Sequence, residues 1–450
     1  MFDMTIARAA EACGGRICGT VAEDTAVERV IIDSRTAQPG DMFVAYEGER
    51  VDGHNYISAA FQKGAACCLA KRVPEGVSGP LILVPDVQEA LEAIFREYRK
   101  TINIPIVGIT GSVGKTSAKE MVAAVLESRF SVLKTEGNLN NQIGVPLTLS
   151  RIRPEHEIAV VEMGISDFGD MSRLARMARP TIALFTVIGH AHLEFLHDLD
   201  GVLKAKTEML DYMPEDALVI VNGDDDKLKN LKCRQRLMRF GLGENCDVRA
   251  ENIRLTDGRE TDCDILAAGR RIRVHIPAFG RHMVYAALEG AAVGLAAGLT
   301  DDEITRGIAA YETVGRRSAV TDTGCITLVD DSYNANPDSM LSGIQSLADM
   351  PGRKVCILGD MLEMGPEAGQ MHYELGRRAA EAGVSAVLTC GELAEQISRG
   401  AGERGRHFES LKVLIEALPE LIQKGDVVLV KASRGMHFEE IAEALKRLVL

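Results

Sequence analysis

The chain has 450 residues, 46% hydrophobic and 26% charged, with a net charge of −14. That length is too great for one hydrophobic core and predicts two or three domains. The acidic balance argues against non-specific nucleic-acid binding, which needs a basic face, but leaves anionic small substrates open because local Lys and Arg clusters decide those.

Ten cysteines are scattered through apolar segments, with only Cys67 and Cys68 adjacent and no CxxC spacing. A structural zinc site or a disulfide framework is not expected; reduced thiols in a cytoplasmic protein are. The first residues lack the basic and then apolar pattern of a signal peptide. The most apolar long stretch, Val284 to Leu299, carries Glu289 and is mostly Ala and Gly, which predicts a packed helix and no membrane attachment.

In chain order, the run VIIDSRTAQPGDMFVAYEG alternates apolar and polar residues around Pro39-Gly40, predicting a small mixed sheet. The helical pattern VQEALEAIFREYRK leads out of it. From Ile104 the grammar becomes strand, turn, helix: IPIVGIT, EIAVVEM, TIALFTVIG and ALVIVN read as buried parallel strands. VRAENIRLTDG followed by RRIRVHIP reads as an antiparallel insertion, and the helix RHMVYAALEGAAVGLAAG follows. Beyond Gly315 a second series, CITLVDD, KVCILGD, VSAVLTC and DVVLVKAS, predicts another α/β unit. The expected architecture is α/β in three domains. These are a small mixed α/β domain (1–100), a central P-loop ATPase-like parallel sheet (101–314) and a C-terminal Rossmann-like domain (315–450).

The strongest local signal is Gly108-Ile-Thr-Gly111-Ser-Val-Gly114-Lys115-Thr116-Ser117, after a strand and opening a helix. Glycines let backbone N–H groups approach phosphate oxygens, and the helix N-terminus adds positive potential. Gly111, Ser112, Gly114 and Ser117 would cradle the phosphates, Lys115 would meet the β- and γ-phosphates, and the Thr116 hydroxyl would meet Mg²⁺. The spacing, GxxGxxGKT, is a variant of the common P-loop; the competing reading is a glycine-rich turn without a ligand. Polar groups close later strands: Glu162, then His192 with Glu194, then Asn222 with Asp224 and Asp225. Ligands of open α/β sheets bind outside the carboxyl ends of strands, where these would converge, although each alone could be a cap or a solvated loop residue.

GITGSVGKTS, TEGNLNNQIGVP, VVEMG and AHLEFLHDLDGVLKAKTE together resemble the Mur ligase family, related to folylpolyglutamate synthetase. The resemblance implies ATP as substrate and Mg²⁺ as cofactor, a first ion on Thr116 and Glu162 and a second on His192 and a carbamylated Lys206. A protonated lysine, with its solution pKa of about 10.4, is a poor cation ligand, whereas a carbamate offers a carboxylate-like oxygen. Position alone would make Lys206 an ordinary exposed helix lysine. Within the family, TLVDDSYNANPDSM, LGDMLEMG and VKASRGM resemble the members that add D-alanyl-D-alanine to UDP-N-acetylmuramoyl-tripeptide. No DNPR sequence, used by relatives that add diaminopimelate, occurs.

The resemblance implies that Lys115, Glu162, His192 and Lys206 are catalytic, and that Asn222, His282, Arg316 and Asp331 contact the nucleotide. Ser34, Arg35, Asp52, Gly53 and His54 would bind the UDP part, although DSR after a strand is otherwise a turn. Thr135, Asn138, Asn140 and Asn141 would meet the sugar and tripeptide side, or else form a helix-capping loop. Asn334, Asn336, Lys431 and Ser433 would contact substrate on the third domain. The family's GxHNxxN segment is altered here, with Met283 and Ala286 where Asn is frequent. Arg316 matches an arginine facing the ATP phosphates, or is a linker arginine. A monomer is implied. A sibling ligase of the same scaffold, and a P-loop nucleotide switch that performs no ligation, are the rival readings.

Overall fold

The structure is a computed structural model that describes residues 4–22, 24–48, 51–256 and 260–449. Three main sheets follow one another along the chain. The first has five strands: Arg16–Cys18 lies antiparallel to Leu81–Leu83, which continues in parallel through Cys67–Ala70, Asp41–Val44 and Arg29–Ile31. This is the mixed sheet expected from the alternation around Pro39-Gly40. The helix Val87–Tyr98 leaves it, capped by Asp86, whose carboxylate accepts the Glu89 N–H.

The central sheet has nine strands. Seven run parallel, in the order Val248–Thr256, Arg236–Gly241, Leu218–Asn222, Ile182–Phe185, Ile106–Thr110, Ile158–Glu162, Val132–Lys134. The chain enters at Ile106–Thr110 and builds first to one side, then to the other. Strand order therefore reverses at that strand, and a crevice opens above its carboxyl end. Beyond the parallel Val248–Thr256, the strands Glu260–Ala267 and Arg270–Ile276 extend the edge in antiparallel pairing rather than forming a separate piece; the Asp257-Gly258 turn of the expected hairpin lies outside the described residues. The third sheet has six strands, with Ala319–Asp322 antiparallel at one edge and the remaining five, from Thr327–Asp330 to Gly405–Phe408, in parallel.

One apolar cluster runs without a break from Ile94 and Phe95 of the first region into Met171, Leu174 and Phe185 of the central one. The helices covering the other face of the central sheet pack closely because small residues meet there. Helix His282–Ala296 lies on Lys115–Glu127, and Gly290 and Gly294 face Met121 and Val125. In helix Asp301–Ala309, a Cβ on Gly307 would stand 2.4 Å from the Val125 Cα. The obstacle is backbone, so Gly307→Ala must push two helices apart. The expected result is a loss of about 1–3 kcal/mol, as for other overpacked cores. Urea unfolding should show it as a lower midpoint with an unchanged slope.

Candidate active site

The strand Ile106–Thr110 is buried along its whole length and delivers the glycine loop to the crevice. Gly111 has φ +154°, and a Cβ there would lie 1.9 Å from the Thr186 Oγ1, so only glycine fits. Gly114 (φ +85°) precedes the helix Lys115–Glu127, and no side chain caps that helix. Its first N–H groups and its dipole therefore face the crevice as an anion-binding end. The loop is held from the side by residues after the strand Ile182–Phe185. The Ser112 N–H donates to the Val187 carbonyl (2.8 Å), the Ser112 hydroxyl donates to the Gly189 carbonyl (2.8 Å), and Thr186 Oγ1 donates to the Val113 carbonyl (2.5 Å). Lys115 Nζ donates to the Gly111 carbonyl at 2.7 Å. Burial lowers its pKa, Glu162 opposes that shift and Arg317 adds to it. Ser117 sits beside the Tyr311 hydroxyl.

Glu162 closes its strand 2% exposed, with every polar atom directed. Its Oε2 accepts from the Thr116 hydroxyl (2.9 Å), its Oε1 accepts from Asn140 Nδ2 (2.8 Å), and its N–H donates to Thr135 Oγ1 (3.0 Å). The buried Lys119 fixes Thr135 in turn, donating to its carbonyl at 2.8 Å. Lys206, on the helix Leu199–Thr207, is 1% exposed. No described residue offers its amine a hydrogen bond or a carboxylate; burial, and then the positive Lys115, hold its pKa well below that of a free lysine. His192 adopts φ +54° and directs Nδ1 to the Glu363 carboxylate at 2.6 Å. Burial lowers the pKa of His192, Glu363 opposes the shift, and Lys206 and Lys115 reinforce it. Charge thus links Glu162 to Lys115, Lys115 to Lys206, and both lysines to His192.

Other expected residues are engaged differently. Arg316 turns away from the P-loop toward Asp330, Glu439 and Glu443, at 3.8–3.9 Å. Its neighbour Arg317, stacked on the Tyr333 ring at 3.7 Å, is the arginine whose charge reaches Lys115. The acidic pocket at the sheet edge captures the first arginine, which leaves the second for the crevice. Thr135 is buried as the link just described, and the Asn138 carbonyl accepts from the Asn140 N–H. Asn141 caps the helix Gly144–Leu149 by accepting from the Ile143 and Gly144 N–H groups, and Asn336 caps Pro337–Ala348 in a reciprocal pair with Ser339. Asn222 Oδ1 accepts from the Asp224 N–H, and Asp224 and Asp225 accept from the Leu242 and Ile188 N–H groups.

In the third region, Lys431 Nζ meets Asp331 at 2.6 Å and the Asn334 carbonyl at 3.0 Å, and Ser433 Oγ accepts from the Leu362 N–H at 3.0 Å. His282 lies beside this group, its Nδ1 buried and without a partner among the described residues. In the first sheet, Ser34 is buried while Arg35 projects outward and lies on Asp33, whose carboxyl that hydrogen bond lowers to about 2. His54 is buried behind Gly53, with Nδ1 donating to Asp52 and Nε2 accepting from the Lys71 N–H, so both its nitrogens serve the fold. Glu363, Asp338, Arg317 and Lys119 belong to the site's surroundings but were not singled out by sequence reasoning. Glu363 and Asp338 stand inside the LGDMLEMG and NANPDSM runs, which was the available signal.

Three family models match the chain: "Mur ligase family, catalytic domain" over residues 26–99, "Mur ligase middle domain" over 109–294, and "Mur ligase, glutamate ligase domain" over 315–434. The UDP-N-acetylmuramoyl-tripeptide–D-alanyl-D-alanine ligase of Escherichia coli K12 is 36% identical over 99% of both chains. The chain belongs to the Mur ligase family. Among solved structures, MurF from Acinetobacter baumannii superposes with a TM-score of 0.90 at 30% identity, over 99% of each chain. MurF ligase from Thermotoga maritima in complex with ADP gives a TM-score of 0.85 at 29% identity, over 95% of this chain and 99% of that one. This Mur ligase is accordingly an ATP-dependent peptide ligase.

The exchange of arginine roles is testable in this Mur ligase. A charge-assisted hydrogen bond to phosphate contributes about 1.5–3 kcal/mol, so Arg317→Ala should raise the KM for ATP roughly 10- to 100-fold. Arg316→Ala should leave that KM within about a factor of three, the effect expected of a half-exposed ion pair. Initial-rate kinetics with saturating peptide substrates distinguishes the two.

Proposed function

We propose that this Mur ligase joins D-alanyl-D-alanine to UDP-N-acetylmuramoyl-tripeptide, with conversion of ATP to ADP and phosphate, completing the pentapeptide precursor of peptidoglycan. The observation that carries this reading is the meeting of Lys115, the Thr116–Glu162 pair, His192 and Lys206 above the sheet's reversal point. It does so in a chain 36% identical along its length to the E. coli ligase of that name.

In the first step a carboxylate oxygen of the tripeptide takes the γ-phosphoryl group of ATP, giving an acyl phosphate and ADP. In the second, the amine of D-alanyl-D-alanine attacks the acyl carbon. The tetrahedral intermediate then expels phosphate and the amine loses its proton. Phosphoryl transfer asks mainly for positioning and for neutralisation of negative charge. The helix end at Gly114–Lys115 and the Lys115 ammonium supply both to the phosphates. Arg317 approaches from the third domain.

The donor set fits Mg²⁺. The Thr116 hydroxyl already lies on the Glu162 carboxylate, and hard oxygen donors of this kind suit that ion. His192 and Lys206 would hold a second. Bound there, Mg²⁺ would neutralise charge on the phosphoryl oxygens. A protonated Lys206 does not fit such a site, but this buried lysine, whose pKa burial and Lys115 lower, would fit once carbamylated. Its lone pair forms the new C–N bond to CO₂ and one N–H proton leaves to solvent, which yields an anionic oxygen donor. The orphaned Nδ1 of His282 supports a contact to the nucleotide, as does the adjacent Asp331.

Residues 1–100 would carry the UDP end through the exposed Arg35, 101–314 the nucleotide and metals, and 315–450 the dipeptide through Lys431, Asn334 and Ser433. Among the described residues no helix is long and apolar enough to cross a membrane. We place the enzyme in the cytoplasm, as a monomer.

ADP release measured with each substrate omitted in turn tests the function. Release should require both UDP-N-acetylmuramoyl-tripeptide and D-alanyl-D-alanine. ADP formation that ignores the dipeptide, or acceptance of glutamate in its place, refutes the assignment. For the carbamate, Lys206→Ala should lower kcat by roughly 10²–10³, as for removal of one charge-stabilising group. Added formate or acetate should restore part of the rate; a mutant that turns over like wild type would sink the carbamate.

A further inference from the structure

Loop 186–194 is gripped from two sides. Beneath it the Ser112 hydroxyl donates to the Gly189 carbonyl and accepts the Gly189 N–H. Above it the third domain reaches down with two acids. Asp338 accepts the His190 N–H at 2.6 Å, and Glu363 meets the His192 Nδ1 at 2.6 Å while its carbonyl accepts the Glu194 N–H at 3.4 Å. His192 and Glu363 are both non-glycine residues in left-handed backbone, φ +54° and +60°. Their side-chain directions are therefore set by the loops that hold them.

A carboxylate only accepts, so the His192 Nδ1 must carry the hydrogen. In a neutral ring that leaves the Nε2 lone pair free for a cation. A carboxylate on the far nitrogen also fixes the ring's orientation and raises its basicity as a ligand. Glu363, however, belongs to the opposite domain. It is tied to the side of that domain proposed above for the dipeptide, because Ser433 Oγ accepts from the N–H of the adjacent Leu362 at 3.0 Å.

We propose that Glu363 is a positioning residue: it orients His192 for the second divalent cation, so that this metal site becomes competent only when the third domain, with its dipeptide end, is docked. The proposal rests on the reading of His192 as a metal ligand given above. Its chemical consequence is that phosphoryl transfer is tied to the presence of the domain that carries the attacking amine, which limits hydrolysis of the acyl phosphate.

The test uses the full chain, Mn²⁺ as the probe and a non-hydrolysable ATP analogue, with bound and free Mn²⁺ followed by electron paramagnetic resonance. Wild type should bind two Mn²⁺ per chain. Glu363→Met, which keeps bulk but accepts no hydrogen bond, should weaken one of them by roughly 10- to 100-fold, the usual effect of losing such a partner. It should also raise the Mg²⁺ concentration needed for half-maximal ligation. Glu363→Gln, whose carbonyl can still accept from Nδ1–H, should restore both toward wild type. Glu363→Ala serves if the Met variant unfolds, since the side chain is half exposed. Unchanged Mn²⁺ binding in a folded Met or Ala variant, or a Gln variant as impaired as Met, overturns the proposal. His192→Ala separates it from the underlying reading. If that variant still binds two Mn²⁺ with wild-type affinity, His192 is not a ligand and both fall; if it loses one while Glu363→Met does not, only the proposal falls.

Discussion

The contact between Gly111 and Thr186 is the constraint on which the site depends. At 1.9 Å from a virtual Cβ, it leaves room for backbone alone, and it locks the phosphate loop against the loop that carries His192. The lock is reinforced by the reciprocal bonds of Ser112 and Gly189 and by Thr186 on Val113. The anion-binding helix end and the backbone of the loop that leads to His192 are therefore fixed relative to each other before any ligand arrives. Preorganisation of this kind matters most for phosphoryl transfer, where the protein contributes placement and charge rather than covalent chemistry.

The electrostatics of the cluster are deliberately unbalanced. Burial and then Lys115 lower the proton affinity of Lys206, while at Lys115 burial is the main lowering cause, Glu162 opposes it and Arg317 adds to it. Glu162 is itself saturated by Thr116, Asn140 and the strand end, which a buried carboxylate requires. Lys206 has no such satisfaction from the described residues. An unpaired buried ammonium is expensive, and burial therefore pushes the Lys206 pKa down. The overall charge of −14 is irrelevant at this scale: the anionic substrates meet a helix end and cations where they are needed.

What the sequence revealed tracks the locality of the interactions. The phosphate loop was legible because its glycine spacing is a local backbone requirement, and the central strands because burial on both faces makes them continuous apolar runs. The caps by Asn141 and Asn336 follow a local rule too, and that rule described those residues better than substrate contact did. The pairings of His192 with Glu363 and of His190 with Asp338 span 171 and 148 residues, and no local pattern encodes them. The choice between Arg316 and Arg317 was equally invisible. Adjacent residues of one type differ only in which way the backbone turns them, and that is decided by Asp330, Glu439 and Glu443 on other elements. At His54 the resemblance pointed to the UDP part, and the fold adds what no local pattern encodes: both ring nitrogens are engaged, by Asp52 and by the Lys71 N–H.

The two boundaries of the central region are built from different physics. Toward the first sheet, one apolar cluster passes straight through, from Ile94 and Phe95 to Met171 and Leu174. Separating those parts would expose a core, so they behave as one body. Toward the third sheet, Phe279 and Met371 supply apolar contact, but the site itself is bridged by His190–Asp338 and His192–Glu363. Polar contacts can be exchanged for water at little net cost, and interfaces of this kind permit domains to part and return. A ligase that must admit three substrates and then exclude water needs one boundary of each sort. The polar one falls where the residues that would serve the phosphates and those that would serve the incoming amine come together.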